Sequence, residues 1–184
     1  MRLGEDDGRP VLLVDGTVQS VLAHDPAGYW SRMVPDVRPR RALLLGLGGG
    51  TVARLLHERF GDVPTVGVDN DLAVVDFARE LLRDLPAVEI VHGDAFEYVR
   101  QAAASGEQFD YAAVDLYVGY QLVHGVVGRS FLKALRTLLE PRGVAVFNLF
   151  HERRLDDRIR RIGRVFTLQE RRLVGMNLVV WWRA

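Results

Sequence analysis

Leu43-Leu44-Leu45-Gly46-Leu47-Gly48-Gly49-Gly50-Thr51-Val52-Ala53-Arg54-Leu55-Leu56 decides how the rest of the chain is read. Arg41 to Leu45 is a short apolar run of strand length. Four glycines fall within the next five residues, and a helical pattern then begins with Val52, Leu55 and Leu56 on one face. Strand, glycine turn and helix in that order open a nucleotide-binding α/β unit. Without a Cβ, the backbone can turn sharply, adopt positive φ and lie close against a ligand.

The spacing narrows the ligand. A dinucleotide site wants G-x-G-x-x-G, and here Thr51 stands at the third glycine position. The pattern is G-x-G-x-G, which resembles the first motif of class I S-adenosylmethionine-dependent transferases. The competing reading is a glycine turn that holds nothing.

Outward from this stretch, strands and helices alternate. The helix runs to about Phe60 and stops at Gly61. Thr65–Asp69 is a second strand, and Asp71 caps a helix carrying Val74, Val75, Ala78, Leu81 and Leu82. Val88–Val91 is a third strand, Ala95–Ala104 a helix and Tyr111–Val114 a fourth strand. Leu116–Gly128 has no clean period and reads as a loop. Ser130–Leu139 is a helix ended by Pro141-Arg142-Gly143, and Val144–Phe147 is a fifth strand. Leu155, Ile159 and Ile162 form the apolar stripe of an arginine-rich helix. Arg164–Gln169 and Leu173–Trp182 read as two closing strands. Such alternation predicts a parallel sheet with helices on both faces, and the tight final connection makes one closing strand antiparallel. At the front, Val11–Val14 and Val18–Ala23 flank Asp15-Gly16, a hairpin signal. Asp25-Pro26 reads as a cap and first helical turn leading through Tyr29 to Met33. Residues 1–38 are therefore expected to be a hairpin and helix extension, and residues 39–184 the main domain.

A chain of 184 residues can bury one substantial core. It has no cysteine, hence no disulfide framework and no thiolate metal site or nucleophile. No convincing metal cluster is legible. No apolar run approaches the roughly 20 residues needed to span a bilayer, and Met1–Pro10 does not read as a signal peptide, so a cytoplasmic location is expected without membrane or nucleic-acid partners. Formal charge is zero but segregated. Residues 1–128 hold 11 basic and 19 acidic side chains (−8), and residues 129–184 hold 13 and 5 (+8). A basic C-terminal part suits an acidic partner or a second copy, so a homodimer is an expectation, against the plainer reading of a solvated arginine-rich helix.

In doubly wound sheets ligands bind beyond the carboxyl ends of the strands. Four strands here end in Gly46–Gly50, Asp69, Asp94 and Asp115. Gly46, Gly48 and Gly50 would cradle the cofactor. Asp69 is placed to accept the two hydroxyls of a ribose and Asp94 to meet an adenine amino group, with Asn70 and Ala95 beside them. Asp115 faces the reacting end, where it would hold a substrate nitrogen or accept its proton. Tyr117 follows it as a catalytic candidate, and Tyr120 would wall the substrate or lie against a cation. Gln19 and Tyr29 are further substrate-facing candidates, and His151 is a spare acid or base. Each has a purely structural alternative, helix capping for Asp94 and ordinary packing for the tyrosines.

Several of these pieces together resemble the spermidine synthase (polyamine aminopropyltransferase) family, a branch of the class I methyltransferase fold. Leu13-Val14-Asp15-Gly16-Thr17-Val18-Gln19-Ser20 is similar to the family's hairpin, Tyr29 falls near its Y-H-E segment, and Leu45–Gly50 is similar to its glycine motif. Asp69 matches its ribose acid, His92-Gly93-Asp94-Ala95 its G-D-A, Phe109–Asp115 its fourth strand, and Phe131–Val144 its L-x-P-x-G block. The resemblance implies a single Rossmann-like α/β domain with a mostly parallel seven-stranded sheet, one antiparallel strand and a preceding β-hairpin. It also implies S-adenosylmethionine or its decarboxylated form as cofactor. Two departures bear on chemistry. Gly49 stands where the family has an acid for the cofactor's aminopropyl ammonium. Asp115-Leu116-Tyr117-Val118 replaces D-S-S/T-D, so the second acid, the family's catalytic base, is missing. A site short of carboxylates is better matched to intact S-adenosylmethionine, whose tail carries its own carboxylate. The expectation is therefore methyl transfer to a small acceptor. Aminopropyl transfer and a non-catalytic nucleoside-binding module are the alternatives.

Overall fold

A computed structural model describes residues 2–6, 9–14, 17–21 and 28–184. At the front, β1 (Arg2–Asp6), β2 (Arg9–Val14) and β3 (Thr17–Val21) pair antiparallel in that order. The expected hairpin is the β2–β3 pair, and β1 extends it to three strands. That strand escaped the sequence reading because its charged, glycine-bearing run has no period-two pattern. Asp15, Gly16, Leu22, Ala23, Asp25 and Pro26 lie outside the described residues.

The helix α1 (Tyr29–Met33) starts at Gly28. A helix end leaves carbonyls without intrahelical donors. Here two aromatic side chains supply them: Tyr111 Oη donates to Met33 O at 2.6 Å and Trp181 Nε1 to Arg32 O at 3.0 Å. Val11, Trp30 and Met33 are buried in the same cluster as Ala42 and Leu44, so the extension shares its core with the main sheet.

The rest is β4 (Ala42–Leu45), α2 (Thr51–Phe60), β5 (Thr65–Asp69), α3 (Leu72–Leu81), β6 (Val88–His92), α4 (Ala95–Ser105) and β7 (Phe109–Val114). There follow β8 (Tyr117–Val118), β9 (Gln121–Leu122), α5 (Arg129–Leu138), β10 (Leu139–Phe150), α6 (Leu155–Ile162), β11 (Thr167–Val174) and β12 (Asn177–Arg183). Seven strands form one sheet in the order β11-β12-β10-β7-β4-β5-β6, with β12 antiparallel to both neighbours. Alternate side chains of each strand enter opposite cores. Leu43 and Leu45 pack with α4, α5 and α6; Ala42 and Leu44 pack with α1, α2 and α3.

Three boundaries differ from expectation. The Leu116–Gly128 loop contains the short β8–β9 hairpin, turned at Gly119 with φ +57°. The final turn falls at Gly175 and Met176, because Glu170, Arg171 and Arg172, polar enough to read as a loop, belong to the solvent-facing edge strand β11. β10 begins before Pro141, and its pairing with β7 shifts register between Leu139 and Val144 around Arg142, at φ +70°. No helix among the described residues is long and apolar enough to cross a membrane.

Candidate functional site

Order β7-β4-β5-β6 brings the four sequence-predicted strand ends side by side. After Leu45 the chain turns through Gly46, Gly48 and Gly50 at φ +83°, +54° and +84°, and Gly50 caps α2. The turn is tied to β5. Gly46 N and Leu47 N donate to Val68 O, and Gly48 N donates to Asp69 Oδ2 at 2.9 Å. Asp71 N donates to the other oxygen, Asp69 Oδ1, at 3.1 Å. Asp69 is thus held in orientation by two backbone N–H groups. Asp71 supplies the cap of α3, accepting from Ala73 N and Val74 N, so Asp69 is not needed for that task.

Asp94 is exposed and caps α4, with Phe96 N and Glu97 N both donating to its Oδ1. Ala95 is buried in the first turn. Asn70 is exposed, and its carbonyl oxygen lies 3.2 Å from His92 Nε2.

Asp115 N donates to Leu45 O at the end of the β4–β7 pairing. The two ends approach so closely that a Cβ on Gly46 would sit 2.1 Å from Asp115 O, so glycine is required there. The Asp115 carboxylate accepts from Tyr29 Oη at 3.0 Å and from Asn148 Nδ2 at 2.8 Å, one donor per oxygen. It forms no ion pair with any described residue. Burial pushes its pKa above the usual carboxylate value, and the two donated hydrogen bonds only partly oppose this. Burial, followed by the charge of Asp115, holds the Tyr29 phenol well above its ordinary value, and the same two causes raise Tyr117. Both phenols stay neutral.

The Tyr117 hydroxyl accepts from Phe150 N at 3.0 Å and donates to Asn148 O at 3.3 Å, and its ring packs 4.6 Å from that of Phe150. Tyr120 lies beyond it, 70% exposed, with its ring 6.0 Å from Phe150. Gln19 falls in β3 at the irregularity where Val18 and Ser20 pair and it does not; its side chain is outside the described residues. His151 is exposed and donates its backbone N–H to Met176 O.

Asn148 is the site residue that sequence reasoning passed over. Its side chain is 2% exposed, and its Oδ1 is buried without a hydrogen-bond partner. The legible signal was one amide within the otherwise apolar run Val144–Phe150. Among the described residues no group of three or more potential metal ligands comes together. Two clefts elsewhere, beside His57 and Asp62 and beside Arg79 and Arg83, include none of these strand ends.

The profile of the family described as "Methyltransferase domain" matches residues 42–143. Among curated relatives, the polyamine aminopropyltransferase of Chromobacterium violaceum is 33% identical over 170 residues, covering 90% of this chain and 64% of that protein. That of Vibrio vulnificus is 30% identical over 65% of this chain and 41% of its own length. The chain spans about half the length of the curated relatives it matches. Among solved structures, a spermidine synthase in complex with the transition-state analogue AdoDATO superposes with TM-score 0.75 at 18% identity, over all of this chain and 73% of that one. Human methyltransferase-like protein 13 in complex with SAH gives 0.69 at 25% identity, over 78% and 71%. The fold is therefore that of a spermidine synthase-like class I methyltransferase.

Proposed function

We propose, on the premise that this chain belongs to the methyltransferase-domain family matched over residues 42–143, that it is a transferase drawing on a sulfonium of the S-adenosylmethionine type and delivering to an amine. The observation that carries this reading is the joint at Gly46. It puts the glycine turn and Asp69 on one side and Asp115 on the other, in backbone contact. The donor set fits an adenosyl group. Each Asp69 oxygen accepts one backbone N–H and keeps lone-pair capacity for a diol. The chain's single lysine, Lys133, stands on α5 and not in the glycine turn, which suits a ligand without phosphates.

In this reading Gly46, Gly48 and Gly50 hold the cofactor tail, Asp69 with Asn70 the ribose, and Asp94 with Ala95 the adenine. When bound, the sulfonium supplies an electrophilic carbon, whose bonding pair to sulfur stays with sulfur as the acceptor nitrogen bonds to that carbon. Asp115 orients the amine and takes its proton, a task favoured by its raised pKa. Tyr29 and Asn148 hold the carboxylate, and the Tyr117 ring bounds the reacting end. The protein contributes proximity and orientation.

We assign the transferred group as methyl, because Gly49 and Leu116-Tyr117-Val118 leave one carboxylate, Asp115, where an aminopropyl donor and a polyamine would each need more. A like-charge contact avoided at about 4 Å is worth about 4 kcal/mol at an effective dielectric of 20. Aminopropyl transfer is the second reading, and the curated relatives named above, both polyamine aminopropyltransferases, favour it over methyl transfer. Calorimetry with S-adenosylmethionine, its decarboxylated form and methylthioadenosine separates them. Tighter binding of the intact form supports methyl transfer, and tighter binding of the decarboxylated form supports the second reading. Absence of heat with all three contradicts both. Residues 1–38 belong to the proposal as an extension placing Tyr29 at the site, and self-association through the segregated charge as a homodimer, tested by sedimentation.

A further inference from the structure

Asn148 stands next to Asp115 across the β7–β10 pairing, one residue beyond the register of Val114 with Phe147. Its Nδ2 donates to Asp115 Oδ1 at 2.8 Å, and its Oδ1 is buried with no donor. Three buried side-chain atoms among the described residues lack a partner: Asn148 Oδ1, Asn177 Oδ1 and Trp182 Nε1. Of these three side chains, Asn148 is the one hydrogen-bonded to Asp115. Reversing the amide would set Oδ1 against a carboxylate, so the atom left without a donor is the oxygen. A buried amide with half of its bonding capacity empty costs stability, and such a gap in a folded protein points to a partner that binds there.

The gap has a defined shape. The planar amide fixes Oδ1 relative to Nδ2, and Nδ2 sits on Asp115. Asn148 Oδ1 and Asp115 Oδ1 therefore lie about 4–5 Å apart, a span that one nitrogen bridges with two hydrogen bonds of about 2.9 Å. Asp115 has room for such a bond. Oδ1 accepts from Asn148 and Oδ2 from Tyr29 Oη, and each oxygen keeps a lone pair. Asp115 is also partly exposed, so a ligand can reach the pair from its side. Tyr117 steadies the strand beneath, its hydroxyl donating to Asn148 O and accepting from Phe150 N.

We propose that Asn148 is an acceptor-binding residue: its Oδ1 and Asp115 receive the two N–H groups of one nitrogen, so the acceptor is a primary amine. This rests on the transferase reading above and adds to it the substitution state of the nitrogen. A free amine turns its lone pair to the reacting carbon and has only its N–H groups left for the protein. A primary amine fills both oxygens, whereas a secondary amine leaves one of them bare, which a buried polar site rejects. The same count acts on the product. The lone pair forms the nitrogen–carbon bond, the carbon–sulfur pair stays with sulfur, and one proton passes to Asp115. The neutral product keeps one N–H where the substrate had two, so the reaction stops after a single transfer.

The test is a fluorine NMR titration of protein saturated with S-adenosylhomocysteine, using 2,2,2-trifluoroethylamine and, separately, its N-methyl derivative. Fluorination keeps both amines uncharged at mildly alkaline pH, so they differ in the number of N–H groups. The primary amine should bind about tenfold more tightly or better. Asn148→Leu, or Asn148→Ser should the leucine variant not fold, should narrow that preference to within about twofold. Equal affinities in wild type, tighter binding of the N-methyl amine, or no binding of either amine to protein that does bind S-adenosylhomocysteine overturns the inference. An undiminished preference in the folded variant also overturns it, because the discrimination would then be steric. Failure to bind S-adenosylhomocysteine itself overturns the transferase reading beneath it.

Discussion

The two halves of the candidate site are built by different means. On the β4-β5-β6 side, each polar group is fixed by neighbours close in sequence. Asp94 receives the N–H groups of Phe96 and Glu97, Asp71 those of Ala73 and Val74, and Asp69 that of Asp71, with Gly48 the one donor to these three carboxylates from another strand end. On the β7-β10 side, Asp115 is held by Tyr29, 86 residues away, and by Asn148, 33 residues away. The first half is assembled from local motifs. The second exists only when the extension, β7 and β10 have packed together. The half beside the glycine turn thus requires little more than the strand–turn–helix units, while the half around Asp115 depends on tertiary contacts.

The seam between the halves gives the largest expected effect. Gly46→Ala places a methyl group against the Asp115 carbonyl at a backbone with φ +83°, and should destabilise the protein by about 3 kcal/mol or more, read by urea denaturation. A tolerated substitution would mean that the halves are not in register at this point. Next, Asp115→Asn should separate the halves functionally. S-adenosylhomocysteine affinity should stay within about twofold while turnover falls about 100-fold or more. Equal losses in both would make the distinction between the halves false.

Tyr111→Phe tests how the extension is held. It removes the buried donor to Met33 O and should cost about 1–2 kcal/mol, with Tyr29 fluorescence quenching by Trp30, stacked at 4.2 Å, altered if α1 shifts. The smallest effect is the pH dependence of Asp115. Its folded pKa lies above its unfolded value of 3.8, so the folded state binds more protons in the window between them. Its contribution is fully present below the unfolded value and is lost as pH rises through the folded one. Thermal melts of wild type and Asp115→Asn should therefore diverge in favour of the variant as pH rises above about 4. Convergence over that range would mean that burial does not penalise the charge.

This division also explains what was legible in the sequence. The fold could be read because each element carries its own signal: the apolar run Ala42–Leu45, the glycines that stop it, and Asp71 and Asp94 at the helix starts. The closing antiparallel strand followed from the short connection between the last two strands, which leaves no room for a crossover. β1 and the β8–β9 hairpin lacked such signals, and Glu170–Arg172 gave a misleading one, because an edge strand facing water can be as polar as a loop. Asp115 was visible as a strand-end acid. Its partners were not, since no periodicity links Tyr29 or Asn148 to it, and an amide in a buried strand looks like an isolated exception until the neighbouring strand is in place.

The central claim is that the glycine turn and the acids beside it surround one adenosine. Titration of wild type and Asp69→Ala with S-adenosylhomocysteine in parallel tests it most directly. The account predicts saturable binding to wild type and an affinity at least about 30-fold weaker in the variant, which loses the charge-assisted contacts to the ribose and to Gly48 N–H. Equal affinity in the two proteins would contradict it.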